Sequence, residues 1–173
     1  MSCCLYNFMN KNIIILGKAQ TDTEKARELI ENSLVVSVNN SFQFYEINPD
    51  VIVFQDRTPD YECIWVSHHL IRADEGHLHD IQDWQTFNKT VQPDFDKPET
   101  LCFYPYTGVA ALQWAIKQNP ESISIFGFGF ECNHNYANGK KFDREAYTLS
   151  VYQKNIEKLC KQAEFEGIEL HWY

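Results

Sequence analysis

The chain is short of positive charge. Fifteen lysines and arginines against 24 aspartates and glutamates leave a formal net charge of −9. A duplex-binding surface needs a clustered cationic face to displace counterions, so no nucleic-acid partner is expected. Long apolar runs are missing as well: the longest, such as Ile13 to Leu16, fall far short of the ~20 residues that cross a bilayer. The stretch from Met1 to Met9 has neither a basic start nor a signal-like core, so a cytoplasmic chain without a transmembrane segment is expected. The cysteines Cys3, Cys4, Cys63, Cys102, Cys132 and Cys160 are scattered with no CxxC pair, which predicts neither a disulfide framework nor a zinc site. Neither GxGxxG nor GxxxxGKT occurs, and there is no internal repeat, low-complexity tract or linker.

What remains is a globular composition. Hydrophobic residues make up 44% of the 173 residues and charged residues 23%, enough apolar material for a packed interior and, at this length, for one domain spanning 1–173. Asn12 to Leu16 reads as a strand, ended by Gly17. Thr21 can cap the helix that follows, with Glu24 reaching back, and the helix carries Ala26, Leu29 and Ile30 on one face. Leu34 to Val38, Val51 to Phe54 and Cys63 to Ser67 continue as strands. Ala73 to Pro98 has little apolar periodicity and reads as a loop or short surface helix. A strand over Thr100 to Phe103 leads to a helix from Val109 to Lys117 that is apolar on nearly every side. Ser122 to Phe126 returns as a strand. After a polar lid loop around 131–147, a helix capped by Asp143 places Leu149, Tyr152, Ile156, Leu159 and Ala163 on one stripe. Ile168 to Trp172 is the last strand. Strands alternating with helices predict an α/β fold, a Rossmann-like three-layer domain with a mostly parallel sheet, whose ligand crevice lies at the carboxyl ends of the strands.

The residues at those ends suit a nucleotide. Gly17 and Lys18 precede a helix start, where free amides, close backbone approach and a cationic side chain favour phosphate, although a tight turn also wants glycine for packing. Thr107 and Gly108 repeat the arrangement at a second helix start, where Thr107 is also a simple cap. Asn39-Asn40 and Asp56 close two neighbouring strands with side chains suited to a ribose, a base edge or a phosphate-bound metal, as well as to turn formation. His68, His69, His77 and His79 lack a spaced carboxylate, so no metal site is assigned to them. His134, in the lid loop, is the best-placed acid or base.

In order and spacing, Ile14-Ile15-Leu16-Gly17, Val38-Asn39-Asn40-Ser41-Phe42, Tyr106-Thr107-Gly108-Val109-Ala110 and Ile123 to Phe130 resemble the bacterial sialyltransferases of glycosyltransferase family 42. The segment Asn48 to Asp56 is similar to the Pro-Asp, apolar run, Asp pattern of the 6-hydroxymethylpterin pyrophosphokinase-like family. The first resemblance implies a glycosyltransferase that takes a CMP-sugar as donor and a glycan or other hydroxyl as acceptor. Gly17, Asn40, Thr107 and Gly108 would then contact the donor by motif position, with no cofactor; outside any matched motif, Tyr136 and Tyr147 are the candidates to donate to the phosphate and His134 is the candidate base. Lys18 stands where that family carries Asn, and Ser150 where it carries its own His. The second resemblance implies magnesium-dependent phosphoryl transfer through Asp56. A third reading is a non-catalytic nucleotide-binding or interaction protein, forming a homo-oligomer or partner surface around Trp65, Trp84 and Trp114.

Overall fold

A computed structural model describes residues 12–54, 69–74, 77–81, 107–131, 133–136, 139, 141–143 and 146–173, with backbone alone at 69–74, 77–81, 133–135, 142–143 and 146–148. In chain order these are β1 (Asn12–Leu16), α1 (Thr23–Leu29), a 3-10 turn (Ile30–Asn32), β2 (Ser33–Val38), α2 (Phe42–Tyr45), β3 (Val51–Phe54), β4 (His69–Asp74) and β5 (His77–Ile81). The second half adds α3 (Thr107–Lys117), β6 (Ser122–Phe126), β7 (Asn133–Asn135), β8 (Lys141–Asp143), α4 (Ala146–Glu166) and β9 (Glu169–Trp172). Seven strands form one sheet in the order β5-β4-β3-β2-β1-β6-β9. All neighbours are parallel except the antiparallel pair β4 and β5. This is the α/β fold with a mostly parallel sheet.

Alternation along the central strands builds the three layers, because successive side chains point to opposite faces. Ile13 and Ile15 of β1 join Val36, Val53, Ile123 and Ile125 under α3 and α4. Ile14 and Leu16 join Ala26 of α1, Tyr45 of α2, Ile47 and Phe126 on the opposite face. Strands buried on both faces are mostly apolar, which is why β1, β2 and β3 are legible as runs, while β6 alternates serine and isoleucine with Ser122 and Ser124 half-buried. α4 lays its stripe of Leu149, Tyr152, Ile156, Leu159 and Ala163 into the first of these clusters.

Four local expectations are corrected. α1 is capped by Asp22, whose Oδ1 accepts from Lys25 N at 2.9 Å, while Thr21 Oγ1 is buried without a hydrogen-bond partner among the described residues. His77–Ile81, expected in a loop or helix, is an edge strand held by the ladder to β4. The lid loop contains a hairpin, β7 on β8, so Asp143 pairs with Asn133 instead of capping the helix, and α4 starts at Ala146. Trp114, offered as part of a partner surface, is 6% exposed and belongs to the core. The expected strands at 63–67 and 100–103 lie outside the described residues. Among the described residues, no helix is long and apolar enough to cross a membrane.

Candidate functional site

From β1 the chain adds β2, β3 and β4 on one side of the sheet and later β6 on the other. Strand order therefore reverses between β1 and β6, and at such a reversal the connections leave in opposite directions and open a crevice at the carboxyl ends. The turns after β1, β2 and β6 and the start of α3 all bear on it.

The floor is two glycines. Gly17 N donates to Phe126 O at 2.7 Å and Ala19 N to Gly127 O at 2.8 Å, so the β1–β6 ladder runs on past both strand ends. A Cβ at Gly17 would overlap the Gly127 carbonyl, and Gly127 itself has φ +67. Close approach is thus the demonstrable reason for glycine at both positions. It also narrows an expectation: two amides of the turn expected to meet phosphate are engaged by β6. Lys18 sits half-buried between them.

Tyr45 Oη closes the floor from below by donating to Gly17 O at 2.8 Å. Burial pushes this phenol above its ordinary value, because the phenolate would lose its hydration. The folded state therefore requires the protonated form. Its contribution is complete below the unfolded phenol value of about 10 and is lost as pH rises beyond it. Tyr45→Phe is expected to cost about 1 to 2 kcal/mol at pH 7 by orphaning the carbonyl. Its urea midpoint should then fall less steeply than the parent's between pH 9 and 11. Parallel slopes would mean that Tyr45 does not carry the alkaline transition.

The turn after β2 is the near wall. Asn39 has φ 54, a left-handed backbone that asparagine tolerates better than most residues. It is held there by its N–H donating to Val53 O at 2.9 Å and by Ser37 Oγ, 3.0 Å from its carbonyl. Ser37 and Ser41 are fully buried. Ser41 Oγ donates to Leu16 O, and Ser37 Oγ accepts from Phe42 N at 3.0 Å, so the turn is fastened to β1. Asn39 Nδ2 lies 3.5 Å from Thr107 Oγ1, a long hydrogen bond across the crevice. Asn40 Nδ2 donates to Gln43 Oε1 at 3.3 Å, while Asn40 Oδ1 is buried with no hydrogen-bond partner among the described residues.

The far wall is the amino end of α3. Thr107 and Gly108 are its first two residues, where backbone N–H groups lack intrahelical partners. A Cβ at Gly108 would stand 3.0 Å from the Phe128 ring, so glycine is needed here for packing too. The lid hairpin reaches the same mouth: Tyr136 forms a backbone bridge with Ala19 and stacks on Phe44, ring centroids 6.4 Å apart. The structure thus brings together Gly17, Lys18, Asn40, Thr107, Gly108 and Tyr136. His134 lies on β7 opposite Phe142, its side chain outside the described residues, as is the whole of Asp56. Among the described residues no group of three His, Cys, Asp or Glu side chains is placed to hold a metal ion.

Ser41 and Tyr45 were not singled out from sequence, whereas Asn39 and Gly127 lie at strand ends where the crevice was expected. Neither Ser41 nor Tyr45 carries a sequence signal of its own, because each acts through a bond to the end of β1 that only the fold makes. Comparison with protein-family models, with curated proteins and with solved structures finds no match.

Proposed function

We propose that this chain is a sialyltransferase-like glycosyltransferase that binds a CMP-sugar in the crevice at the carboxyl ends of β1, β2 and β6. The reading is carried by the Asn39–Thr107 contact, which sets the turn after β2 beside the amino end of α3 at the reversal of strand order. The family resemblance assigns the donor to these same segments. In this reading the amides at Thr107 and Gly108, together with the Tyr136 phenol, hold the nucleotide phosphate. Asn40 Oδ1 accepts from a ribose hydroxyl or the cytosine amino group. The acceptor oxygen attacks the anomeric carbon, the bond from that carbon to the phosphate oxygen breaks, CMP leaves, and the acceptor proton passes to His134. Donors already aimed at the leaving phosphate stabilise the charge that grows on it.

The test is a thermal titration with cytidine monophosphate, with and without magnesium, beside cytidine triphosphate. Binding to the native state alone raises the melting temperature by roughly 5 to 10 °C at a hundredfold excess over Kd for a domain of this size. The expected result is a magnesium-independent shift with the monophosphate that Thr107→Val diminishes. A shift only with triphosphate and magnesium would replace this reading by phosphoryl transfer. No shift with any nucleotide would leave an interaction protein.

A further inference from the structure

Beyond α3, the wall of the crevice continues as aromatic rings. Phe128, whose ring covers Gly108, meets Trp172 of β9 edge-on at a centroid distance of 6.0 Å. Trp172 meets Phe130 at 5.4 Å and 65°. Phe130 stacks on Tyr152 of α4 at 5.7 Å, and Gln153 Nε2 donates to its carbonyl at 3.4 Å. Phe130 and Trp172 are each 39% exposed. The series forms a stepped ledge that starts at the proposed donor site and ends at a carboxamide. By contrast, Phe165, although 92% exposed, stands in no ring contact among the described residues.

We infer that the ledge of Phe130 and Trp172 is a carbohydrate subsite that takes the C–H face of a pyranose, the acceptor side of the crevice. This rests on the transferase reading above. Two partly exposed rings present far less than the ~800 Å² that each partner buries in a stable protein interface, but they match one or two sugar rings. Aromatic faces are the negative pole of a quadrupole and attract polarised C–H groups. A ligand apolar on one face and hydroxylated at its rim fits a ring ledge bordered by Gln153. Continuity through Phe128 to Gly108 puts the occupant next to the phosphate, where an acceptor has to be.

Ligand-observed saturation-transfer NMR with methyl β-glucopyranoside and methyl β-galactopyranoside tests the inference, with the CMP thermal titration run on the same samples. Saturation of ring C–H protons is expected. Affinity should fall about tenfold or more in Trp172→Ala and in Phe130→Ala, recover to within about threefold in Trp172→Phe, and leave the CMP shift unchanged. A preserved cooperative melt shows that the variants fold. Absence of sugar saturation, or sugar binding indifferent to both alanine variants, overturns the ledge while the CMP result still stands for the donor site. Loss of CMP binding in Trp172→Ala would make the ledge a base platform and overturn the inference. Trp172-dependent sugar binding without any CMP shift would keep the ledge and remove the transferase reading.

Discussion

Gly127→Ala is expected to remove about 3 to 5 kcal/mol of stability, read as a large drop in the urea midpoint, in a domain whose total is on the order of 5 to 15 kcal/mol. Two costs combine. The backbone at φ +67 disfavours any Cβ, at about 1 kcal/mol or more. The new carbon would also stand 2.5 Å from Tyr45 Oη, 2.7 Å from Gly17 O and 2.8 Å from Ala19 O. Two of these three atoms belong to backbone fixed by the extended ladder, so relief requires β1 and β6 to part. Gly17→Ala strikes the same contact from the other side, and the double variant should cost clearly less than the sum, since the first substitution already opens the gap. A loss under about 1 kcal/mol for Gly127→Ala would show that the floor of the crevice is pliable.

Asn40→Ala should have the opposite profile, with stability held and affinity lost. Its Oδ1 is buried and unpartnered among the described residues, a state that costs about 1 to 3 kcal/mol in the free protein. Among the described residues its Nδ2 makes one exposed bond, to Gln43. Truncation therefore removes a liability and little else, and the melting temperature should be unchanged or slightly raised. If a donor on the nucleotide satisfies that oxygen, the Kd for CMP should weaken about 10- to 100-fold. Thermal titration reads both quantities at once. A destabilised Asn40→Ala with unchanged Kd would assign the side chain to the turn and remove it from the site.

The fold was legible where burial on two faces forces composition. β1, β2 and β3 are short β-branched runs, α3 is apolar on nearly every side, and the spacing of Leu149 to Ala163 on α4 can only be helical. Elements held by neighbours instead of by their own pattern were not legible. β5, His-Leu-His-Asp-Ile, exists through its ladder to β4. The strands of the lid hairpin are three residues each, too short for alternation to register. Thr21 and Asp22 are both good caps, and only backbone geometry chose Asp22. Among site residues, Thr107, Gly108 and Asn40 could be read from their strand-end positions. Asn39 could be placed at a strand end in the same way, but its reach to Thr107 could not, because that depends on a left-handed φ. Nor could Tyr45, whose bond to Gly17 joins segments 28 residues apart.

The placement of β1 in the interior of the sheet, between β2 and β6, has a consequence for biogenesis. β1 gains its first neighbour, β2, as soon as Ser33 to Ser37 are available, but its second, β6, begins 110 residues after it. Until then a nascent chain carries β1 as a bare edge that is apolar from Ile13 to Leu16, the kind of strand that recruits other chains. Closing so long a loop is slow and is rewarded only when α3 and β6 dock together. The crevice is assembled by that same step, since its floor is the β1–β6 junction. A formed crevice is thereby the mark of a chain made through β6, and a half-made one has no version of it.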